Sequence, residues 1–330
     1  MKRLIWADSL KGILIILVVL GHAIQETLKA GCFDNHLWNM IYSFHMPAFM
    51  AISGFLNYRT RDWSKTNRLS MIYRRFQQLM IPFFCWALIK ILIYPPYHIN
   101  RFVNAILFPD GAFWFLWVLF FIFVFFYVGD WIAEKLRIKQ ELIIAVLCLV
   151  LVLLMVFVDI RILGFQFIAY YFLFYSIGYY LHKYNKVITS KKWLLVVMTM
   201  GWAVMAWFWN MHKLPSFLFS IPLPTSLMQY SYRFLTALIA IYVLFGVSSK
   251  VLDGNKKWNV PMLQLGRISL GIYTSHILLM PFIIKGIMVF TQNITLVIIL
   301  AFIIALAVSW ILVWLLGKWK ITAKFLLGKI

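Results

Sequence analysis

The stretch that decides the fold runs from Leu4 to Ile24, and its inner part, residues 11–22, reads KGILIILVVLGH. Ten apolar or glycine residues separate Lys11 from His22. In an α-helix these eleven steps make about three turns, so both side chains share one face, about 16 Å apart along the axis. Ionisable side chains are costly within a bilayer and usually face a functional protein cavity. The stretch therefore predicts a membrane helix with a functional polar face.

The composition places the whole chain in the membrane class. Of 330 residues, 64% are hydrophobic and 12% are charged, and the mean hydropathy is +0.88. A soluble domain is far less apolar. The scattered cysteines show no paired or metal-like spacing and are interpreted as small apolar fillers. No small-residue cleavage site follows the first apolar stretch, so we expect a retained helix and not a signal peptide.

Ten apolar segments are long enough to cross a bilayer. We predict an all-α polytopic membrane protein of about ten transmembrane helices, with residues 1–330 forming a single membrane domain and no separate soluble domain. The segments are Leu4–Ile24, Leu37–Leu56, Phe76–Tyr94, Phe113–Ile132, Leu142–Val158, Leu163–Leu181, Trp193–Trp209, Tyr230–Val247, Ile268–Met288 and Ile294–Gly317.

The lysines and arginines predict the orientation. Of the 31, 23 are assigned to the chain ends and alternate loops of one side and six to the opposite side, while Lys11 and Lys90, within apolar segments, are counted with neither. Under the positive-inside rule this asymmetry predicts that both termini are cytoplasmic. The net charge of +21 follows mainly from this topology and requires no nucleic acid, although an anionic cytoplasmic ligand would suit it. The opposite set comprises Lys29, Arg101, Arg161, Lys213, Arg233 and Lys285.

Five motifs follow one another along the chain, and together they resemble the acyltransferase-3 family of integral-membrane acyltransferases. The resemblance covers most of the chain in the order of the family. The motifs are Asp8 with Lys11 and His22, Phe44-His45-Met46-Pro47 continuing to Ser53-Gly54-Phe55, Arg74-Arg75 before Leu79-Met80-Ile81-Pro82, Trp114-Phe115-Leu116, and Leu265-Gly266-Arg267-Ile268-Ser269 with Tyr273 and His276. One departure is Gln78, which stands where the family often has a second arginine three residues after the first.

The resemblance implies a reaction and its substrates. We expect an acetyl or similar acyl group to pass from cytoplasmic acetyl-coenzyme A to a hydroxyl of a cell-surface polysaccharide or its lipid-linked precursor. The coenzyme would be a co-substrate and not a permanently bound cofactor, and no metal site is predicted. A multi-pass location in the inner membrane follows, with the lipid bilayer, acyl-CoA, the carbohydrate acceptor and proteins of surface polysaccharide assembly as partners.

Acyl transfer from a thioester to a hydroxyl needs a base, and imidazole titrates nearest to neutral pH among the side chains. His22 is the predicted general base, and His45 a second proton carrier. Clustered cations suit the phosphates of coenzyme A. The predicted donor-binding residues are Lys11, Arg68, Arg74 and Arg75, and the predicted substrate-binding residues are Asp8, Trp114, Ser269, Tyr273 and His276.

Each assignment has a structural alternative. Lys11 can form a self-contained ion pair with Asp8, the histidines can be packing residues, and the loop arginines can serve orientation alone. A transporter or polysaccharide-export component would use Lys11, His22 and His45 as a proton path. A third possibility is an acyltransferase whose acceptor is an amine instead of a hydroxyl. For the enzyme we expect a polar path from the donor arginines past Lys11 to His22, opening outward near Trp114.

Overall fold

A computed structural model describes residues 4–58, 68–95, 100–109, 111, 113–158, 160–184, 191–220, 223–252 and 257–329. Within these ranges every regular element is helical and no strand occurs. The basic residues Lys2, Arg3, Arg59, Arg61, Lys65, Lys186 and Lys256, counted above for orientation, lie outside the described residues.

Fifteen α-helices make up the described fold. In chain order they are α1 (Ile5–Leu28), α2 (His36–Tyr42), α3 (His45–Asn57), α4 (Arg68–Arg75), α5 (Ile81–Ile93), α6 (Asn100–Leu107), α7 (Trp114–Leu136), α8 (Gln140–Phe157), α9 (Phe165–Lys183), α10 (Lys192–Phe208), α11 (Thr225–Val251), α12 (Val260–Arg267), α13 (Ser269–Met288), α14 (Ile294–Leu316) and α15 (Lys320–Leu327). A π-helical turn, Phe76–Met80, joins α4 to α5.

Eight helical segments of the described chain are long and apolar enough to cross a membrane. The predicted all-α polytopic fold is therefore confirmed. The other two predicted spans are also helical, but α10 has only 17 residues and the second span is divided into α2 and α3. The count of ten spans stays a prediction, as does the cytoplasmic location of the termini.

The second span is broken between Tyr42 and His45. Phe44 leaves the helical conformation, with φ −143° and ψ −24°. Pro47 lies in the first turn of α3, where its missing N–H costs no hydrogen bond. The break leaves carbonyl groups without their usual helical partners, and the Nδ1 atom of His45 bonds to the carbonyl of Ile41 at 2.7 Å. Proline therefore restarts a helix here and fixes the His45 ring.

Helix ends that the charges assign to one side of the membrane lie together. On the predicted cytoplasmic side Arg68 pairs with Asp130 and Glu134, and Lys183 pairs with Glu141 at 2.6 Å. The contacts at the opposite ends of the helices include an exposed ion pair between Lys213 and Asp34 and a hydrogen bond from Asn210 to the carbonyl of Phe33. These helix ends thus meet in the groups that the predicted alternation requires, and the orientation of the chain stays a prediction.

Two reciprocal glycine contacts hold the centre of the bundle. Gly54 on α3 lies against the carbonyl of Tyr175, and Gly178 on α9 lies against the carbonyl of Ala51. A Cβ atom at either glycine would overlap the facing carbonyl oxygen. Small residues allow such close backbone approach in membranes. Gly54, which belongs to the second motif, therefore allows the close contact between α3 and α9.

The same reciprocal arrangement joins α1 to α12. Gly12 lies against the carbonyl of Met262, and Gly266 lies against the carbonyl of Asp8. The glycine of the late motif therefore holds the segment before α13 against the helix that carries Lys11 and His22. This contact fixes the start of α13 relative to α1, and the site described next lies between these two helices.

Candidate active site

Three histidines from three motifs come together in the interior. The rings of His22 on α1 and His276 on α13 have centroids 5.2 Å apart. His22 also interacts electrostatically with His45, at the start of α3. His276 is completely buried and His45 is 2% exposed, whereas His22 is only partly buried. The structure thus brings both predicted catalytic histidines and one predicted substrate-binding histidine into one group.

Backbone carbonyls fix the tautomers of two of these histidines. Nδ1 of His45 lies 2.7 Å from the carbonyl oxygen of Ile41, and Nδ1 of His276 lies 2.7 Å from that of Ile272. A carbonyl oxygen only accepts hydrogen bonds, so Nδ1 carries the proton and Nε2 of each neutral ring is an acceptor. The buried Nε2 of His276 has no hydrogen-bond partner among the described residues. Both rings are therefore held for proton acceptance at Nε2.

His22 is the one ring of the three that no backbone carbonyl fixes. Among the described residues it contacts the His276 ring, but no protein group forms a hydrogen bond to either of its nitrogens. Its side chain is only partly buried. A free imidazole at this position can accept a proton from a substrate hydroxyl.

Aromatic side chains surround this group. Tyr42 donates a hydrogen bond from its hydroxyl to Oε1 of Gln25 at 2.6 Å, and its ring lies 4.7 Å from that of His45. Tyr273 lies 6.2 Å from the ring of His276, and its hydroxyl accepts a hydrogen bond from the backbone N–H of Phe115. The late motif and the fourth-span motif therefore meet at the histidines.

Trp114 lies at the edge of the same region. Its ring stacks on Phe167 and Tyr171, with centroids 4.9 Å and 5.2 Å away. Ser269 lies elsewhere. It is seven residues before His276, about 10 Å along the helix, and its hydroxyl donates to the carbonyl of Gly266. The structure thus places Trp114 near the histidine group but gives Ser269 a local role at the start of α13.

The predicted donor residues occupy the other end of the bundle. Lys11 pairs with Asp8 at 2.7 Å, and its side chain is 21% exposed. Asp8 is buried, so this pair fixes the lysine Nζ at the protein edge. The ion pair between Lys11 and Asp8 is therefore present, and part of the lysine side chain remains accessible.

The arginines before the third span differ in their surroundings. Arg75 donates to Gln78 at 3.1 Å and to Asn57 at 3.3 Å, and its guanidinium lies 5.1 Å from the ring centroid of Phe123. Arg74 is exposed. Arg68 pairs with two carboxylates, which a phosphate would have to replace. Arg75 therefore faces the protein interior. Gln78, which stands where the family often has a second arginine, accepts a hydrogen bond from it.

The prediction of a polar path between Lys11 and His22 is wrong. The helix face between them carries Leu14, Ile15 and Val18, none of them more than 1% exposed. Side chains that lined an open channel would be exposed to it, so this face is closely packed with apolar groups. A donor approaching His22 from the side of Lys11 must displace these side chains or take a different route.

Comparison with known protein families identifies the family to which this chain belongs. A family model described as an acyltransferase domain matches residues 4–314. The chain belongs to the acyltransferase-3 family. The resemblance found in the five motifs is thereby confirmed. The match favours this enzyme class over the alternative of a transporter.

Two curated proteins are similar to part of this chain. Nodulation protein NolL of Mesorhizobium japonicum is 33% identical over 128 residues, which are 36% of this chain and 33% of that protein. Nodulation protein NolL of Sinorhizobium fredii is 37% identical over 129 residues, 36% of this chain and 34% of that protein. The match thus spans about a third of each relative's length. No solved structure matches the chain.

Sequence reasoning missed one residue of the candidate site, Glu26. It lies four residues after His22 on α1, so the two share a helix face, and its carboxylate interacts electrostatically with the His22 ring. Glu26 also pairs with Lys29 at 2.5 Å. A carboxylate beside an imidazole stabilises the imidazolium that forms when the ring takes a proton. The four-residue spacing between His22 and Glu26 was the signal in the sequence that could have identified it.

Proposed function

We propose that this acyltransferase moves an acetyl group from cytoplasmic acetyl-coenzyme A to a hydroxyl of a cell-surface polysaccharide or its lipid-linked precursor. The observation that carries the proposal is the His22 ring, which among the described residues has no hydrogen bond to a protein group and faces His276, with aromatic side chains around the two rings. The inner membrane is the location we infer, since the donor is cytoplasmic and the acceptor is destined for the cell surface.

The proposed reaction runs through His22. Its imidazole takes the proton of the acceptor hydroxyl, while the hydroxyl oxygen attacks the thioester carbonyl carbon. The tetrahedral intermediate then collapses, the carbon–sulfur bond breaks, and the coenzyme A thiolate leaves and takes up the proton. Glu26 stabilises the transient imidazolium. The Tyr273 hydroxyl, which accepts from Phe115, keeps its own hydrogen to donate to the developing oxyanion.

The donor phosphates are assigned to Lys11 and Arg75. Both lie at the end of the bundle that the charge distribution places in the cytoplasm, and Arg75 is preorganised by Asn57 and Gln78. Arg74 is exposed, and we leave it and the doubly paired Arg68 out of the donor site. Because Leu14, Ile15 and Val18 fill the direct route, we propose that donor binding opens this packing.

Glycan analysis tests the function as a whole. Envelope polysaccharide from cells that express the wild-type protein should carry one acetyl group per modified sugar, and glycan from cells with His22→Gln protein should lack it. Mass spectrometry measures the difference. Mild alkali releases esters but leaves amides, so acetyl groups that survive this treatment would show an amine acceptor. Identical glycans in both cell lines would refute the proposal.

A second measurement tests the donor site. We expect Arg75→Ala to weaken coenzyme A binding roughly 10- to 100-fold, the effect of removing a charge-assisted hydrogen bond, and Lys11→Ala to weaken it less because Asp8 already neutralises the lysine. The matched control is Arg74→Ala, which removes the adjacent but exposed charge. Calorimetric titration of the purified protein gives the affinities. Equal affinities for the Arg75 and Arg74 variants would place the donor elsewhere.

A further inference from the structure

Arg233 lies inside a membrane helix without an ion-pair partner. The charge distribution counted it among the residues of the outer side, but it is eight residues after the start of α11, about 12 Å along the axis. Its Nε and Nη2 atoms are buried and have no hydrogen-bond partner among the described residues. No described carboxylate forms an ion pair with it. A partly buried cation whose N–H groups lack acceptors is costly, and ionisable residues within membrane helices often mark ligand sites.

The surroundings of Arg233 offer hydrogen-bond donors and aromatic rings. Its guanidinium carbon lies 5.6 Å from the ring centroid of Trp209, and the indole Nε1 of Trp209 is also buried without a hydrogen-bond partner. Tyr170 and Tyr230 are electrostatic neighbours of the arginine, and their rings lie 6.3 Å apart. Two neighbouring N–H donor groups without a protein acceptor suit a ligand that accepts hydrogen bonds, and an oxyanion is the best acceptor for a guanidinium.

Aromatic contacts connect this place to the candidate active site. Tyr171 is an electrostatic neighbour of Arg233 and stacks on Trp114 at 5.2 Å. The same tyrosine interacts with Tyr42 and Tyr273, which contact His45 and His276 respectively. Arg233 is therefore separated from the histidine group by a few aromatic rings, a distance suited to one part of a ligand whose other end reaches His22.

We propose that Arg233 and Trp209 bind an oxyanion carried by the glycan acceptor, and that this acyltransferase selects acidic acceptors. The inference rests on the proposed function, since it assigns the acceptor class of the same site. The oxyanion is either the carboxylate of an acidic sugar or the phosphate that links a sugar to its lipid carrier. Both accept hydrogen bonds from the guanidinium, and the experiment distinguishes them.

A thermal-shift measurement tests this binding without acyl transfer. The probes for purified protein in detergent are glucuronate, glucose and inorganic phosphate. Glucuronate or phosphate should raise the unfolding temperature of the wild type, glucose should not, and Arg233→Gln should abolish the response. Lys285→Gln is the control, because it removes an exposed cation near the outer ends of the helices and should respond like the wild type. A response to glucuronate alone identifies a sugar carboxylate, and a response to phosphate identifies the linking phosphate.

Kinetics give the second measurement. For an anionic acceptor, Arg233→Gln should raise KM roughly 10- to 100-fold with a smaller change in kcat, while coenzyme A affinity stays at the wild-type value. Absence of any anion response in the wild type would overturn the inference even if Arg233→Gln does not fold. An anion response that persists in Arg233→Gln would overturn it too. Anion binding without any acyl transfer would count against the proposed function instead.

Discussion

Replacing His22 by glutamine should abolish acyl transfer, with the rate falling by about 10²- to 10⁴-fold, the usual contribution of a general base. Glutamine keeps the polarity and approximate volume of the side chain but cannot take up a proton at neutral pH. No protein group forms a hydrogen bond to His22 in the described structure, so the substitution breaks none and the protein should fold. Acetyl transfer from labelled acetyl-coenzyme A to extracted glycan measures the effect.

The control for this variant is His212→Gln. His212 is an exposed histidine far from the histidine group in the sequence, with its ring against Phe33. Its replacement should leave the transfer rate at the wild-type value. A His22→Gln enzyme that turns over at a similar rate to the control would show that another group is the base, with His45 the next to test.

Replacing Gly178 by alanine should destabilise the fold by about 1–3 kcal/mol, the usual cost of adding a methyl group to a packed interior. The new Cβ would overlap the carbonyl oxygen of Ala51, and because this obstacle is backbone, a change of rotamer cannot relieve it. Helices α3 and α9 would have to separate, which would also shift His45 on α3. The unfolding temperature of the detergent-solubilised protein measures the loss.

Gly201→Ala is the matched control for that substitution. Gly201 also lies within a helix, α10, but a Cβ there would meet nothing within 4 Å. Alanine favours the helix more than glycine does, so Gly201→Ala should be neutral or slightly stabilising. Equal unfolding temperatures for the two alanine variants would mean that the α3–α9 contact is not close-packed in the membrane.

Local sequence patterns were sufficient for the helices and for the motifs. Long apolar segments must form helices in a bilayer, because only internal hydrogen bonds satisfy their backbone. Hydropathy therefore located every long helix. A proline within the second span indicated a bend there, but the patterns gave one continuous segment, Leu37–Leu56, where the structure has two helices separated at Phe44. They also counted Arg233 with the outer-side charges, because it stands near the start of its predicted span.

The sequence by itself determined that this chain is an all-helical membrane protein and that His22, His45 and His276 belong to acyltransferase motifs. Only the tertiary structure decided that His22 meets His276, since α1 and α13 are far apart in the chain and pack through contacts that no local pattern encodes. It also decided that Arg75 turns inward while Arg74 does not, and that Leu14, Ile15 and Val18 close the route from Lys11. Periodicity assigns a residue to a helix face, but what fills the space opposite that face depends on the packing of other helices.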